Sequence, residues 1–253
     1  MGGEESAKAF QEAHERIARA AERRSLGWRT LALAFYDPTE EWVKALLDGA
    51  LSAALSEATR WLDSDRERFV AGLEMLREFV TKQQGRDPQD VLRDLKVEYA
   101  RLFIGAAGPM EAPPYESVYR DRDPAGAVMV KGPSTLAVER FYRRHGVQPA
   151  SGHSDLPDHV ATELEFMHCL SSREWEAWKK GESETAKELR RAQQDFLEEH
   201  LARWLPEFCG RVQNAAPVNL YLALAGILPE YLAVETGVGY TQSTLRGVFS
   251  SDG

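Results

Sequence analysis

Helix boundary signals follow one another along the whole chain, and they constrain its fold more than any other feature. Asp87-Pro88 is one such signal, because an aspartate that can cap a helix precedes a proline at the first helical position. Apolar residues then recur at helical spacing, at Val91, Leu95, Tyr99 and Leu102. No stretch alternates between apolar and polar residues for long enough to predict a strand. The sequence therefore predicts an all-α fold.

The same signals place further helices along the chain. We predict a helix start at Asp37-Pro38 and a helix from Gly132-Pro133 to His145-Gly146. A long helix follows Pro157, and one of its faces carries Val160, Leu164 and Met167. Three more helices are predicted at 182–203, 206–212 and 217–228, and the last should kink or end at Pro229.

A segment rich in proline and glycine interrupts this pattern at 105–133. It holds five prolines and four glycines, which are too many for a continuous helix. We expect one all-helical domain over 1–253, with possible halves 1–104 and 133–253 joined by this segment. Its rigid and aromatic residues include Pro113, Pro114, Tyr115 and Tyr119. Such a segment either lines a groove for a peptide or plugs the core between the two halves.

The chain is acidic, with 40 Asp and Glu residues, 31 Lys and Arg residues and a formal net charge of −9. This balance argues against nucleic-acid binding, which depends on clustered cations. The longest apolar run, 220–228, is too short to span a membrane. Cys169 and Cys209 are too few for a disulfide framework, so we expect a reduced, cytoplasmic setting. We predict that the Arg23-Arg24 pair lies on the solvated face of a first helix.

Ionisable residues are densest between Asp158 and His168. On a helix His159 and Glu163 face the same way, and Glu165 with His168 makes one Glu-x-x-His spacing. One interpretation is that Asp158 caps the helix while Glu163, Glu165 and His168 occupy partly exposed, satisfied positions. The alternative is a helical metal-dependent enzyme that uses Glu163, Glu165 and His168. No motif for nucleotide binding or nucleophilic catalysis is present, so the leading interpretation has no enzymatic activity and no cofactor.

Two long stretches resemble the signatures of one family. The run Glu98-Tyr99-Ala100-Arg101-Leu102-Phe103-Ile104-Gly105, followed by Pro113-Pro114-Tyr115-Glu116-Ser117-Val118-Tyr119, is similar to the first signature of the TorD/DmsD chaperones. Asp158-His159 with Glu163-Leu164-Glu165-Phe166-Met167 is similar to their second signature, and 196–206 is a weaker third match. The sequence departs from the family at Gly105-Ala106-Ala107-Gly108-Pro109, where relatives commonly have Gly-Pro.

This resemblance implies a helical bundle of the TorD/DmsD type and a cytoplasmic chaperone of redox-enzyme maturation. Such chaperones bind the twin-arginine signal peptide of a molybdopterin-dependent oxidoreductase in its apo form, and they assist cofactor insertion and assembly before export. The implied peptide-binding residues are Tyr99, Leu102, Phe103, Pro114, Tyr115, Asp158 and His159. The motif residues with an expected structural role are Ser117, Tyr119 and Glu163.

The physics of peptide binding suits these residues. The apolar part of a signal peptide would contact Leu102, Phe103 and Tyr115, while Asp158 would accept hydrogen bonds from an arginine. The acidic excess lies in 30–100, with 14 acids and 9 bases, and in 158–253, with 15 and 9, and it would steer a basic peptide. We expect a monomer or a dimer that exchanges helices through 105–133. A structural partner subunit of an enzyme is a further alternative.

Overall fold

The computed structural model describes residues 2–60, 67–105, 108–148, 156–217 and 220–236. Within these ranges the regular structure is helical, with two isolated antiparallel bridges and no strand. The prediction of an all-α fold is therefore confirmed.

The helices follow one another with short connections over most of the described chain. They are α1 (Gly2–Ala34), α2 (Glu40–Leu47), α3 (Ala50–Ala58), α4 (Glu67–Lys82), α5 (Pro88–Tyr99), α6 (Glu116–Arg120), α7 (Pro133–Arg144), α8 (Val160–Lys180), α9 (Ser183–Phe196), α10 (Ala202–Ala215) and α11 (Leu220–Thr236). Two π-helical turns extend α5 and join α9 to α10, and we call them π1 (Ala100–Ile104) and π2 (Leu197–Leu201). None of the described helices is long and apolar enough to cross a membrane.

The core lies between the long helices α1 and α8 and the helices that pack against them. Helix α1 lies along α8, and α11 packs against α4 and α10. Trp28 and Leu31 of α1 and Phe35, directly after its end, recur at helical spacing and are fully buried. The largest buried side chains of the other helices include Phe196, Trp204, Phe208, Tyr221 and Tyr231. Aromatic rings thus dominate the centre of the bundle, where they bury the most apolar area per residue.

Two helix boundaries form as the sequence predicts. Asp87 caps α5, because its side chain accepts a hydrogen bond from the Gln89 amide at 2.9 Å. Helix α7 begins at Pro133, and Gly146 follows its end with a φ of 63°. Both predictions hold because the residues that decide them are neighbours along the chain.

The helix start predicted at Asp37-Pro38 is wrong. The residue that caps α2 is Thr39, whose hydroxyl accepts a hydrogen bond from the Trp42 amide at 3.2 Å. Pro38 therefore precedes the cap and does not occupy the first turn. A threonine in extended conformation caps a helix nearly as well as an aspartate does, so Asp37 and Thr39, two positions apart, are competing cap residues.

Helix α10 does not begin at the predicted Pro206, and α11 does not end at Pro229. Both prolines lie inside helices, Pro206 in α10 and Pro229 in α11, and α11 continues to Thr236. Pro229 has no N–H for the carbonyl of Ala225. The side-chain amide of Gln213 donates to that carbonyl at 2.9 Å, so a contact between two helices replaces the missing bond.

The segment 105–133 divides into two parts. Its first part packs into the bundle, since Ala112 and Val118 are buried and Tyr119 contacts the rings of Trp204 and Phe208. Its second part, 122–131, is a mostly exposed hairpin. The core-plugging alternative therefore describes the first part.

The expectation that the Arg23-Arg24 pair is solvated is wrong for Arg24. Its side chain is buried, and Nη2 donates to both carboxylate oxygens of Glu174 at 2.7 and 2.8 Å. Arg23 is half-buried and pairs with Glu57 at 3.2 Å. Helix α1 turns one arginine towards α8 and the next towards α3, because consecutive residues point about 100° apart around a helix.

Candidate functional site

The two signature stretches are joined by backbone hydrogen bonds. The Glu116 amide donates to the Asp158 carbonyl at 3.0 Å, and the Val160 amide donates to the Pro114 carbonyl at 2.8 Å. These bonds form an isolated antiparallel bridge between Tyr115 and His159. Residues that are far apart in the sequence therefore lie side by side, at the starts of α6 and α8.

Asp158 and His159 cap different helices, and this corrects the expectation that Asp158 caps α8. The N-cap of α8 is His159, whose Nδ1 accepts a hydrogen bond from the Ala161 amide at 3.2 Å. Asp158 is fully buried, and its Oδ2 accepts from the Ser117 amide of α6 at 3.0 Å. Since Nδ1 is an acceptor, the neutral imidazole of His159 carries its proton on Nε2.

A group of aromatic rings surrounds His159. The ring of Tyr115 meets it edge-on at 5.3 Å between centroids, and Tyr36 stacks parallel to it at 6.3 Å. The Tyr36 hydroxyl donates to Oε2 of Glu165 at 2.6 Å. Tyr36 and Tyr115 are half-buried and Glu165 is exposed, so this group reaches the surface. We call Tyr36, Tyr115, His159 and Glu165 the aromatic site.

Sequence reasoning missed Tyr36 and assigned Glu165 to a different chemistry. Tyr36 lies just beyond the end of α1, more than 100 positions before His159, and no motif marks it. The one signal that could have found it is an aromatic residue directly before Asp37-Pro38, at a point where the chain leaves a helix.

Tyr99, Leu102 and Phe103 of the first signature lie in the core. Leu102 is fully buried, and the rings of Tyr99 and Phe103 meet edge-on at 5.1 Å. Phe103 also contacts the buried ring of Tyr221 at 5.2 Å. These side chains face the core in this structure, so their assignment to direct peptide contact stays a prediction.

The other motif residues have specific contacts. Pro114 is buried and contributes its carbonyl to the bridge, while the Ser117 amide binds Asp158. The Tyr119 hydroxyl donates to the Pro113 carbonyl at 2.8 Å. Each contact fixes the path of the chain on either side of Tyr115.

The departure from the family pattern lies at the other end of this loop. Ala106 and Ala107 are outside the described residues. Gly105 ends π1 with a φ of 75°, a conformation that favours glycine, and a Cβ there would lie 2.7 Å from the Gly108 carbonyl oxygen. The loop then returns to the core, where the Ala112 amide donates to the Leu102 carbonyl at 2.9 Å.

Three buried carboxyl groups lie behind the aromatic site. Glu116, Asp158 and Glu163 are fully buried, and Oε2 of Glu163 accepts a hydrogen bond from Nε1 of Trp204 at 3.1 Å. Burial raises the pKa of Glu163 well above its usual range, and the neighbouring Glu116 and Asp158 raise it further. The expectation that Glu163 is partly exposed is therefore wrong, and its burial disfavours the charged form of the carboxyl group.

Glu163, Glu165 and His168 do not form the alternative metal site. Glu163 faces Trp204, whereas Glu165 binds Tyr36 and Nδ1 of His168 lies 2.9 Å from the Ser25 hydroxyl. Across the described part of the chain, no group of three or more His, Cys, Asp or Glu side chains could hold a metal ion.

Comparisons with known proteins agree with the two signatures. The model of the nitrate reductase delta subunit family matches residues 62–210, more than half of the chain. The selenate reductase assembly chaperone of Thauera selenatis is 33% identical over 127 residues, which cover 50% of this chain and 62% of that protein. Chaperone protein TorD of Vibrio cholerae is 26% identical over 194 residues, covering 73% and 82%.

A third relative matches over a similar share of the chain. The dimethyl sulfide dehydrogenase assembly chaperone of Rhodovulum sulfidophilum is 34% identical over 187 residues, which cover 72% of this chain and 65% of that protein. The matches to the first two curated relatives, the selenate reductase chaperone and the perchlorate reductase chaperone, span only 62% and 42% of their lengths. The chain belongs to the nitrate reductase delta subunit family, in which the TorD chaperones that its sequence resembles are found.

Proposed function

We propose that this chain is a cytoplasmic assembly chaperone that binds the twin-arginine signal peptide of a molybdopterin oxidoreductase and assists cofactor insertion before export. The observation that carries the proposal is the bridge between Tyr115 and His159, which brings both signatures to one surface. The three relatives described above are named chaperones, so the proposed role is binding without catalysis.

The apolar part of the peptide would bind beside Tyr115. Ile104 and Met110 are exposed, and Met110 packs against Gly105, the residue that follows Ile104. Together with the half-buried ring of Tyr115 they offer apolar surface along the loop between π1 and α6. Each Å² of apolar surface that the peptide removes from water contributes about 25 cal/mol, before the costs of association.

The arginines of the peptide would bind beside Tyr36. Asp158 is buried and engaged by the Ser117 amide, so an exposed carboxylate has to accept the guanidinium hydrogen bonds. Glu165 is exposed and bound to the Tyr36 hydroxyl, and Asp37 follows Tyr36 in the chain with its carboxylate exposed. Asp37 also pairs with Lys96 at 3.4 Å. Two exposed carboxylates, one bound to the Tyr36 hydroxyl and one on the next residue, suit a pair of arginines, which also stack on aromatic rings.

Replacing Tyr115 by alanine should weaken peptide binding about tenfold, because a half-buried aromatic anchor at the centre of a site carries a large share of the binding energy. The probe is a synthetic peptide with paired arginines followed by a leucine-rich stretch, measured by titration calorimetry. Trp175→Ala is the matched control, since Trp175 is another half-buried aromatic residue, on α8, and it packs in a separate cluster. Equal affinities for Tyr115→Ala and the parent chain would remove the proposed site.

The association rate with this peptide should fall as salt is added. The acidic excess of the chain attracts a dicationic peptide over a Debye length that shrinks from about 10 Å at 0.1 M salt to about 3 Å at 1 M. Stopped-flow kinetics at several salt concentrations measures this slope, and a peptide with both arginines replaced by glutamine should show little of it. A salt-independent rate for the arginine peptide would refute the steering.

A stable complex with the oxidoreductase that does not depend on the signal peptide would instead favour the alternative function, a structural partner subunit of the enzyme.

A further inference from the structure

The third motif stretch contributes a buried histidine to the back of the aromatic site. His200 lies in π2, and its Nδ1 is 2.9 and 3.1 Å from the two carboxylate oxygens of Glu116. Both side chains are buried, with relative exposures of 3% and 0%. A hydrogen bond between two such groups is strong and costly to remove, because water cannot replace either partner.

Glu116 links this buried hydrogen bond to Tyr115 of the aromatic site. It is the first residue of α6, directly after Tyr115, and α6 has only five residues. Helix α6 cannot hold its own position through internal hydrogen bonds, because so short a helix forms hardly any. The polar anchors at its start are the backbone bridge, the Asp158 carboxylate and the side chain of Glu116, in addition to the packing of Tyr119 on Trp204 and Phe208.

The geometry of π2 holds the imidazole in place. The His200 ring stacks on Phe196 at 4.8 Å and meets Phe141 edge-on at 6.0 Å. Arg120, on the last turn of α6, binds Glu116 from the other side and donates to the Glu199 carbonyl at 2.8 Å. The extra residue of a π-helical turn changes the direction of the following side chains, and such turns often occur at functional sites.

We propose that His200 is a positioning residue of the peptide site, and that it acts through Glu116 to hold α6 so that Tyr115 lies against His159. Near the hydrogen-bonded pair of His200 and Glu116 lie three charged or titratable groups, Arg120, Asp158 and Glu163. The part of this inference that concerns the peptide rests on the proposed function, whereas the part that concerns Tyr115 and His159 does not.

The first test needs no peptide. Nuclear Overhauser contacts between the rings of Tyr115 and His159 report their 5.3 Å separation in solution. We expect these contacts in the parent chain and in His200→Asn, because the asparagine amide can donate from the position of Nδ1. We expect them to be lost in His200→Phe, which keeps the ring but has no donor, and in His200→Gln, whose amide extends to the position of Nε2. The control His168→Phe removes a half-buried histidine bound to Ser25 and should retain them.

If circular dichroism shows that His200→Phe does not fold, the comparison of His200→Asn with His200→Gln tests the proposal. Ring contacts retained in His200→Gln as strongly as in His200→Asn would overturn the proposal, and so would their retention in a folded His200→Phe. Their loss in His168→Phe would also overturn it, because the effect would then be general destabilisation.

The second test measures affinity for the synthetic arginine peptide. We expect His200→Phe and His200→Gln to bind about tenfold more weakly than the parent, and His200→Asn to recover most of the affinity. Parental affinity in variants that have lost the ring contacts would overturn the positioning role. A parent chain that does not bind the peptide would count against the proposed function, while the ring contacts would still decide whether His200 holds α6.

Discussion

A chain in which Glu174 is replaced by alanine should lose about 3–5 kcal/mol of folding free energy. Glu174 is 1% exposed and accepts hydrogen bonds from Arg24 of α1 and from the side chains of Trp178 and Gln193, on α8 and α9. Its removal leaves the buried guanidinium of Arg24 with a second carboxylate, Glu235, only at 3.9 Å. A buried cation without a close partner is among the most destabilising defects a fold can carry.

Urea denaturation at constant m-value measures this loss. Asp94→Ala is the matched control, because Asp94 binds Arg86 at the same 2.7 Å but on the surface, where such a pair contributes less than about 1 kcal/mol. The double variant Arg24→Met, Glu174→Met should recover most of the stability, since apolar side chains of similar size satisfy a buried site without charge. Equal destabilisation by Glu174→Ala and Asp94→Ala would show that the network adds nothing beyond a surface ion pair.

The buried network also shows where sequence reasoning is limited. Arg24 lies four positions before Trp28 and seven before Leu31, so helical spacing places it on the same face as these buried residues, but the spacing does not identify its partner. The partner, Glu174, is 150 positions away. Burial of a charge depends on a partner from another helix, which no local pattern encodes. The all-α fold and the cap at Asp87 could be predicted, because they depend on neighbours in the chain.

The candidate site could likewise be predicted only in part from the sequence. The sequence identifies Tyr115 and His159 through two signatures, and the bridge places them side by side. Tyr36 reaches the same point from α1, outside both signatures, and only the packing of α1 along α8 brings it there. His159 takes the capping role at α8 expected of Asp158, because the Asp158 carboxylate accepts from the Ser117 amide of α6 instead.

Replacing Glu163 by glutamine should stabilise the chain increasingly as the pH rises. The folded chain holds a proton on Glu163 that the unfolded chain releases above its ordinary pKa of 4.5, because burial and the carboxyls of Glu116 and Asp158 disfavour the charged form. The unfolded state then binds fewer protons than the folded state, so the stability that the parent draws from this group is fully present below about pH 4.5. It falls by about 1.4 kcal/mol per pH unit until the pH reaches the raised pKa of the folded state.

Glutamine has the shape of the neutral acid and no proton to lose. Its side-chain oxygen can accept the hydrogen bond from Nε1 of Trp204, and its amide group carries no charge into the buried site. Glu163→Gln should therefore match the parent near pH 4.5 and exceed it by about 1.4 kcal/mol for each further pH unit until the pH reaches the raised pKa of Glu163 in the folded chain. Urea midpoints between pH 4.5 and 9 measure the divergence, with Glu176→Gln as the control, since Glu176 is a partly exposed residue of the same helix that pairs with Lys179. Parallel curves for Glu163→Gln and the parent would mean that Glu163 is ionised in the folded chain, and that its buried charge has a compensating partner.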